Sequence, residues 1–216
     1  MDFAVKPLGK INVASLLPAS CDLSKPVARV DQVCTNDFQY LGQYCPVHQS
    51  TLLHWEEVLW LLEKRKLIFL SEPQDNHSVQ FYFEKWIGSS AWNLSMYLVY
   101  SKLVSLGYVV WRPDASYLKG ERIGVQPEFV VFCPNAQFSK KKLPPVDYFV
   151  HVWGRPGKLQ SGASVIDYLF GLGVAEGAGR LVAQVEAGNV NFFSLGVGLP
   201  SLELVCSKRK KLKIGL

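Results

Sequence analysis

Acid–base, nucleophilic or metal chemistry in this chain would fall to four histidines, five cysteines and a few clusters of lysine. His151 lies inside the apolar run Asp147–Trp153 and alternates with Phe149 and Trp153 on one face of an expected strand. A histidine so placed is an ordinary packed sheet residue before it is a proton shuttle. His48, His54 and His77 stand at expected turns or helix starts and have no metal-ligand spacing. Cys21, Cys34, Cys45, Cys133 and Cys206 are odd in number and share no Cys-x-x-Cys spacing, which fits reduced thiols inside a cell and no zinc site. No Ser-His-Asp, paired-carboxylate or Cys-His arrangement emerges, so no catalytic residue, metal or cofactor is expected.

Two features invite a phosphate. The run Gly171 to Gly179 is glycine-rich, but its spacing is neither the dinucleotide fingerprint nor the P-loop, and it follows an expected helix rather than a strand. A helix end and loop is the simpler reading. The other feature is basic: Lys140, Lys141 and Lys142 in one loop, and Lys208, Arg209, Lys210 and Lys211 near the C-terminus. The first cluster is a solvated loop or a phosphate contact, and the second a frayed tail, a nuclear-import signal or a phosphate contact. The net charge of +5 is too mild to decide, while 49% hydrophobic and 19% charged residues describe a folded chain.

The elements that would position these residues centre on Trp92–Asp114. Met96, Val99, Leu103 and Leu106 recur at helical spacing, Gly107 supplies a left-handed stop, and Tyr108–Trp111 suits a buried strand. Upstream, a helix over roughly 53–65 is expected, capped by Ser50 or Thr51. Glu56 and Glu57 suit its first turn and Lys64–Lys66 its last, and a short strand follows at Leu67–Leu70. Brief strands are expected at Val27–Val30 and Phe38–Leu41, and Val79–Trp86 is amphipathic at either period. Downstream, Glu128–Phe132 and Asp147–Trp153 read as strands, and Ser164–Gly173 as a helix. Arg180–Glu186 and Asn189–Leu195 read as a hairpin around Ala187-Gly188. Gly88-Ser89-Ser90 marks a boundary between an N-terminal α+β domain, 1–88, and a C-terminal α/β domain, 89–200, with a basic tail over 201–216. No apolar run reaches the roughly 18–20 residues of a membrane span, and Pro7, Gly9 and Pro18 interrupt any signal-peptide core.

From about residue 92 to 200 this order resembles the C-terminal domain of tRNA-splicing endonuclease subunits. The motifs are a helix ending in Leu106-Gly107-Tyr108, the strand Glu128-Phe129-Val130-Val131-Phe132, the strand Pro145–Val150, and the closing hairpin Leu181–Phe193. His54–Glu63 is similar to a helix of the largest, structural subunit. Catalytic members of the family use a tyrosine, a histidine and a lysine to cleave RNA. Those positions fall here on Phe132, on Pro144 or Pro145, and near Ala178, none of which can move a proton or bear a charge.

The resemblance therefore implies a mixed α/β chain with an inactive endonuclease-like domain. It implies a scaffold in a heterotetramer with catalytic and other non-catalytic subunits, binding pre-tRNA through Lys140–Lys142 and the C-terminal basic run. It places the complex in the nucleus, or in some lineages in the cytoplasm or at the mitochondrial surface. The subunit interface is expected on the closing hairpin, at Glu186, Val190, Phe192 and Phe193. Two alternatives stay open: an active nuclease using His151 with a lysine of Lys140–Lys142, and a protein-interaction module of this fold with no RNA role.

Overall fold

A computed structural model describes residues 11–17, 25–34, 36–46, 49–69, 78–88, 90–113, 126–133, 138–140, 144–154 and 178–195. The chain is mixed α/β, with two mixed sheets and three α-helices among these residues. It divides into two compact units that interleave in sequence. The first runs to Trp111 and takes up Pro134–Pro144; the second comprises Arg112–Cys133 and the chain from Pro145. Residues 90–111 are grouped with the first of these units.

The first unit holds strands β1 (Asn12–Leu16), β2 (Ala28–Gln32), β3 (Gln43–Cys45), β4 (Ser50–Leu53) and β5 (Leu67–Phe69) in the order β3-β4-β2-β1-β5. Only the β1–β5 pair is parallel. Ser50 and Thr51, expected to cap a helix, belong instead to β4, where Thr51 pairs with Val30 of β2 and Tyr44 of β3. The β-branched and apolar Thr51-Leu52-Leu53 serves the sheet better than a cap. Helix α1 (Trp55–Glu63) starts after His54, with Glu56 and Glu57 in its first turn. Lys64, Arg65 and Lys66 follow the helix rather than filling its last turn. The Arg65 N–H reaches the Leu62 carbonyl at 2.9 Å and the Lys66 N–H the Leu61 carbonyl at 2.8 Å, a Schellman closure with Arg65 at φ +55°.

The strand expected at Phe38–Leu41 is instead a 3-10 turn over Asn36–Gln39, whose three-residue period buries Phe38 and Leu41 together. Val79–Trp86 is helix α2: Ser78 Oγ caps it by accepting the Phe81 N–H at 3.1 Å, and Tyr82 and Trp86, four residues apart, are its buried face. Helix α3 (Ala91–Ser105) buries Met96, Tyr97, Val99, Tyr100 and Leu103. Leu106, expected on that stripe, is 46% exposed because the helix has already ended there. Gly107 at φ +89° turns the chain, and the Tyr108 N–H closes on the Leu103 carbonyl at 3.1 Å. Strand β6 (Val109–Trp111) follows, buried throughout. The Tyr97 hydroxyl donates to Glu63 Oε2, tying α3 to α1.

The second unit holds β7 (Phe129–Phe132), β8 (Tyr148–Val152), β9 (Gly179–Glu186) and β10 (Asn189–Leu195), in the order β10-β9-β8-β7. The β8–β9 pair is parallel; its flanking pairs are antiparallel. Two carboxylates brace the β7–β8 ladder: Asp147 accepts the Cys133 N–H at 2.7 Å and Glu128 the Val152 N–H at 2.9 Å. Gly179 opens β9 where a Cβ would lie 2.7 Å from the Tyr148 ring, so only glycine lets β9 approach β8 there. The hairpin turns at Ala187 (φ +48°) and Gly188 (φ +80°), both left-handed as a two-residue I′ turn requires. The helix expected over 164–173 lies outside the described residues. Among the described residues no helix is long and apolar enough to cross a membrane.

Candidate functional site

β10 lies at the end of its sheet's order, paired in register with β9 from Asn189–Glu186 to Leu195–Arg180. Successive residues of a strand face opposite ways, so Val190 and Phe192 share one face and Asn191 and Phe193 the other. Val190 and Phe192 are half-buried, whereas Phe193 is 51% exposed, a large apolar side chain left in water. Glu186, at the turn, is exposed. Among the described residues the hairpin therefore presents a strand edge and an aromatic ring, with a carboxylate at its tip.

The positions where the resemblance puts catalytic groups hold none. Phe132 is fully buried at the end of β7, Pro145 is exposed ahead of β8, Pro144 is half-buried, and Ala178 is half-buried just before β9. His151 is fully buried in β8, opposite Val182 of β9, and its side chain is out of a substrate's reach in this conformation. Among the described residues no cluster of three His, Cys, Asp or Glu could hold a metal ion, and Cys34, Cys45 and Cys133 are in no disulfide.

Lys140 is turned inward. Its ammonium donates to the Leu41 carbonyl and lies 6.0 Å from the Trp111 ring centre. Lys141, Lys142, Lys208, Arg209, Lys210 and Lys211 lie outside the described residues.

The structure brings Lys140 to a partner that the sequence left unremarked. Glu57 is buried at the start of α1; its Oε1 accepts the Gly42 N–H at 2.6 Å and its Oε2 the His54 N–H at 2.8 Å. Burial pushes the Glu57 carboxyl up to about 7, against the lowering effect of those two amides and the more distant Lys140 charge. Burial likewise pulls the Lys140 ammonium down to about 8, partly offset by Glu57. The segment Tyr40-Leu41-Gly42 is held on three sides: Gly42 by Glu57, Leu41 by Lys140, and the Tyr40 carbonyl by the Trp111 indole N–H at 2.8 Å. Gly42 sits at φ +71°, where a Cβ would meet Thr51 at 2.4 Å. The histidine three residues before Glu57 echoes a capping-box spacing, the one signal of this arrangement in the sequence. Both carboxylate oxygens are occupied by backbone, so the cluster works as a clasp and not as a proton-transfer pair.

Beside the clasp opens a pocket of about 280 Å³, lined by Tyr40 and Leu41, by Trp60 of α1, by Val104 and Gly107 at the end of α3, and by Tyr108 and Val109. The Lys66 ammonium lies 5.5 Å from the Trp60 ring centre.

Set beside models of known protein families, the chain matches none, and no curated protein matches it.

Proposed function

We propose that the chain is a non-catalytic scaffold subunit of a tRNA-splicing endonuclease, residues 89–200 forming an endonuclease-like domain without catalytic groups. In this reading it pairs with a catalytic subunit along β10 and helps to position intron-containing pre-tRNA. The observation that carries the reading is the end strand β10 with Phe193 half in water, since a paired strand edge and a buried aromatic anchor are what such a contact needs. The absence of an acid, base or cation at Phe132, Pro145 and Ala178 supports a structural role beside it. The nuclease alternative is disfavoured by the complete burial of His151.

Co-purification with a tagged catalytic subunit tests it. Phe193→Ser should weaken the pair by about 2 kcal/mol or more, roughly thirty-fold, as loss of a central aromatic does. Glu186→Gln should cost under about 1 kcal/mol, the range of exposed ion pairs. Dissociation by Glu186→Gln with a silent Phe193→Ser would refute the apolar-edge contact. Cleavage of intron-containing pre-tRNA by the isolated chain would refute the scaffold reading altogether.

A further inference from the structure

The pocket beside the clasp is apolar, and Tyr40, Trp60 and Tyr108 are among the residues that line it. A cation adjoins one of them: the Lys66 ammonium lies 5.5 Å from the Trp60 ring centre, and Lys64 and Arg65 are exposed on the same turn of chain as Lys66. That turn is rigid, because the Schellman bonds from Arg65 and Lys66 fix it to the last turn of α1. Of the acidic groups on α1, Glu57 is held by two backbone amides, Glu63 by the Tyr97 hydroxyl and by Lys64 at 3.3 Å, and Glu56 is buried.

This combination selects among ligands. A cation seeking the aromatic walls meets the ammonium of Lys66 already above Trp60 and that of Lys140 beside Leu41. A docked peptide helix needs a row of sockets spaced by helical turns, whereas a pocket of about 280 Å³ takes one ring system. Aromatic walls for a planar ring, with cations alongside for a phosphate, are the elements of single-strand nucleic-acid binding. We propose that this pocket receives one unstacked base of a single-stranded RNA segment, its neighbouring phosphates meeting the Lys64-Arg65-Lys66 turn. The proposal rests on the reading of the chain as an RNA-handling subunit and adds to it a site and the single-stranded character of what the site takes.

The test uses the full chain and a fluorescein-labelled ten-nucleotide oligouridine, followed by anisotropy at several salt concentrations. Trp60→Leu keeps the wall apolar but removes the ring, and should weaken binding by about ten-fold or more. Lys66→Gln should weaken it less and flatten the slope of log K against log salt by about 0.7, the share of one single-strand phosphate. Lys85→Gln on α2 should change neither. A 4-thiouridine probe should photocrosslink to the peptides carrying Tyr40 or Tyr108. If Trp60→Leu fails to fold by circular dichroism, Lys66→Gln and the crosslinks decide. Oligouridine binding that ignores both variants and crosslinks elsewhere overturns the pocket while leaving the RNA role intact. No oligouridine or pre-tRNA binding, by the chain or its complex, overturns both. An acidic aromatic peptide that occupies the pocket while oligouridine does not assigns the surface to a protein partner and also overturns the proposal.

Discussion

Replacing Glu57 with Gln separates two effects that oppose each other at one buried position. Glutamine has one acceptor oxygen where the carboxylate has two, so it can satisfy the Gly42 N–H or the His54 N–H, now at 2.6 and 2.8 Å from Glu57, but not both. Losing one amide–carboxylate bond costs about 1.5–3 kcal/mol. Against this, glutamine removes a buried charge. The folded-state value of about 7 stands above the unfolded 4.5, so this group's contribution to stability is full below 4.5 and lost as pH rises through 7. Between pH 5 and pH 8 that loss amounts to about 2.5 kcal/mol. Lys140 acts in the opposite sense: its value of about 8 lies below the unfolded 10.5, so its contribution is full above 10.5 and lost as pH falls through 8. Between pH 7 and 8 both groups are charged in the unfolded chain and each is at least half charged in the folded one, so the clasp is at its least favourable there. Urea unfolding of both proteins by tryptophan fluorescence, from pH 5 to 8, measures the difference directly. The penalty of Glu57→Gln should be larger at pH 5 than at pH 8, by about 2 kcal/mol. A penalty that does not change with pH would refute the buried-carboxyl account, whatever its size.

Other expectations follow from the geometry. Lys141→Ser with Lys142→Ser should weaken pre-tRNA binding by the complex and flatten its salt dependence, measured by filter binding; an unchanged slope would make these lysines a solvated face. Adding Lys140→Ser should also lower the melting temperature, because that ammonium holds the Leu41 carbonyl and faces Glu57. Gly179→Ala drives a methyl to 2.7 Å from the Tyr148 ring and should cost about 1–3 kcal/mol in thermal unfolding; an unchanged melt would mean the ring moves aside freely. Tyr97→Phe removes the hydroxyl bonded to Glu63 and should cost about 1 kcal/mol, checked by the same melt, with the exposed Glu63 rehydrated in exchange.

The elements legible in the sequence were those whose signals are local. The corner Leu106-Gly107-Tyr108, with glycine at a left-handed angle, and the Ala187-Gly188 hairpin each need only neighbours to form. Ser50–Leu53 was misread because a hydroxyl ahead of an apolar run fits a helix cap equally well, and only pairing with β2 and β3 makes it a strand. Leu106 was assigned to the core by periodicity, though the helix closes one residue earlier. The clasp was illegible for a stronger reason. Lys140 reaches Leu41 from 99 residues away, and nothing in Lys140-Lys141-Lys142 distinguishes an inward ammonium from an outward one. Phe193, one of the residues expected at a subunit interface, is exposed, while Phe192 beside it is half-buried.

The interleaving of the two units sets the order in which the chain can become stable during its synthesis. The first unit is not complete when Trp111 leaves the ribosome, because Phe138, packed edge to face against Trp111 at 5.6 Å between ring centres, and Lys140 have still to emerge. At about 5–20 residues per second that is a delay of a few seconds. Throughout it Glu57 lacks its counter-ion and the strap over Tyr40–Gly42 lacks one of its three fastenings. Residues 112–133 emerge in the same interval as the opening segment of a unit whose remaining strands are still unmade. A nascent chain halted with residue 130 outside the exit tunnel should therefore be readily cut by protease around residue 41, and one halted with residue 144 outside it should resist.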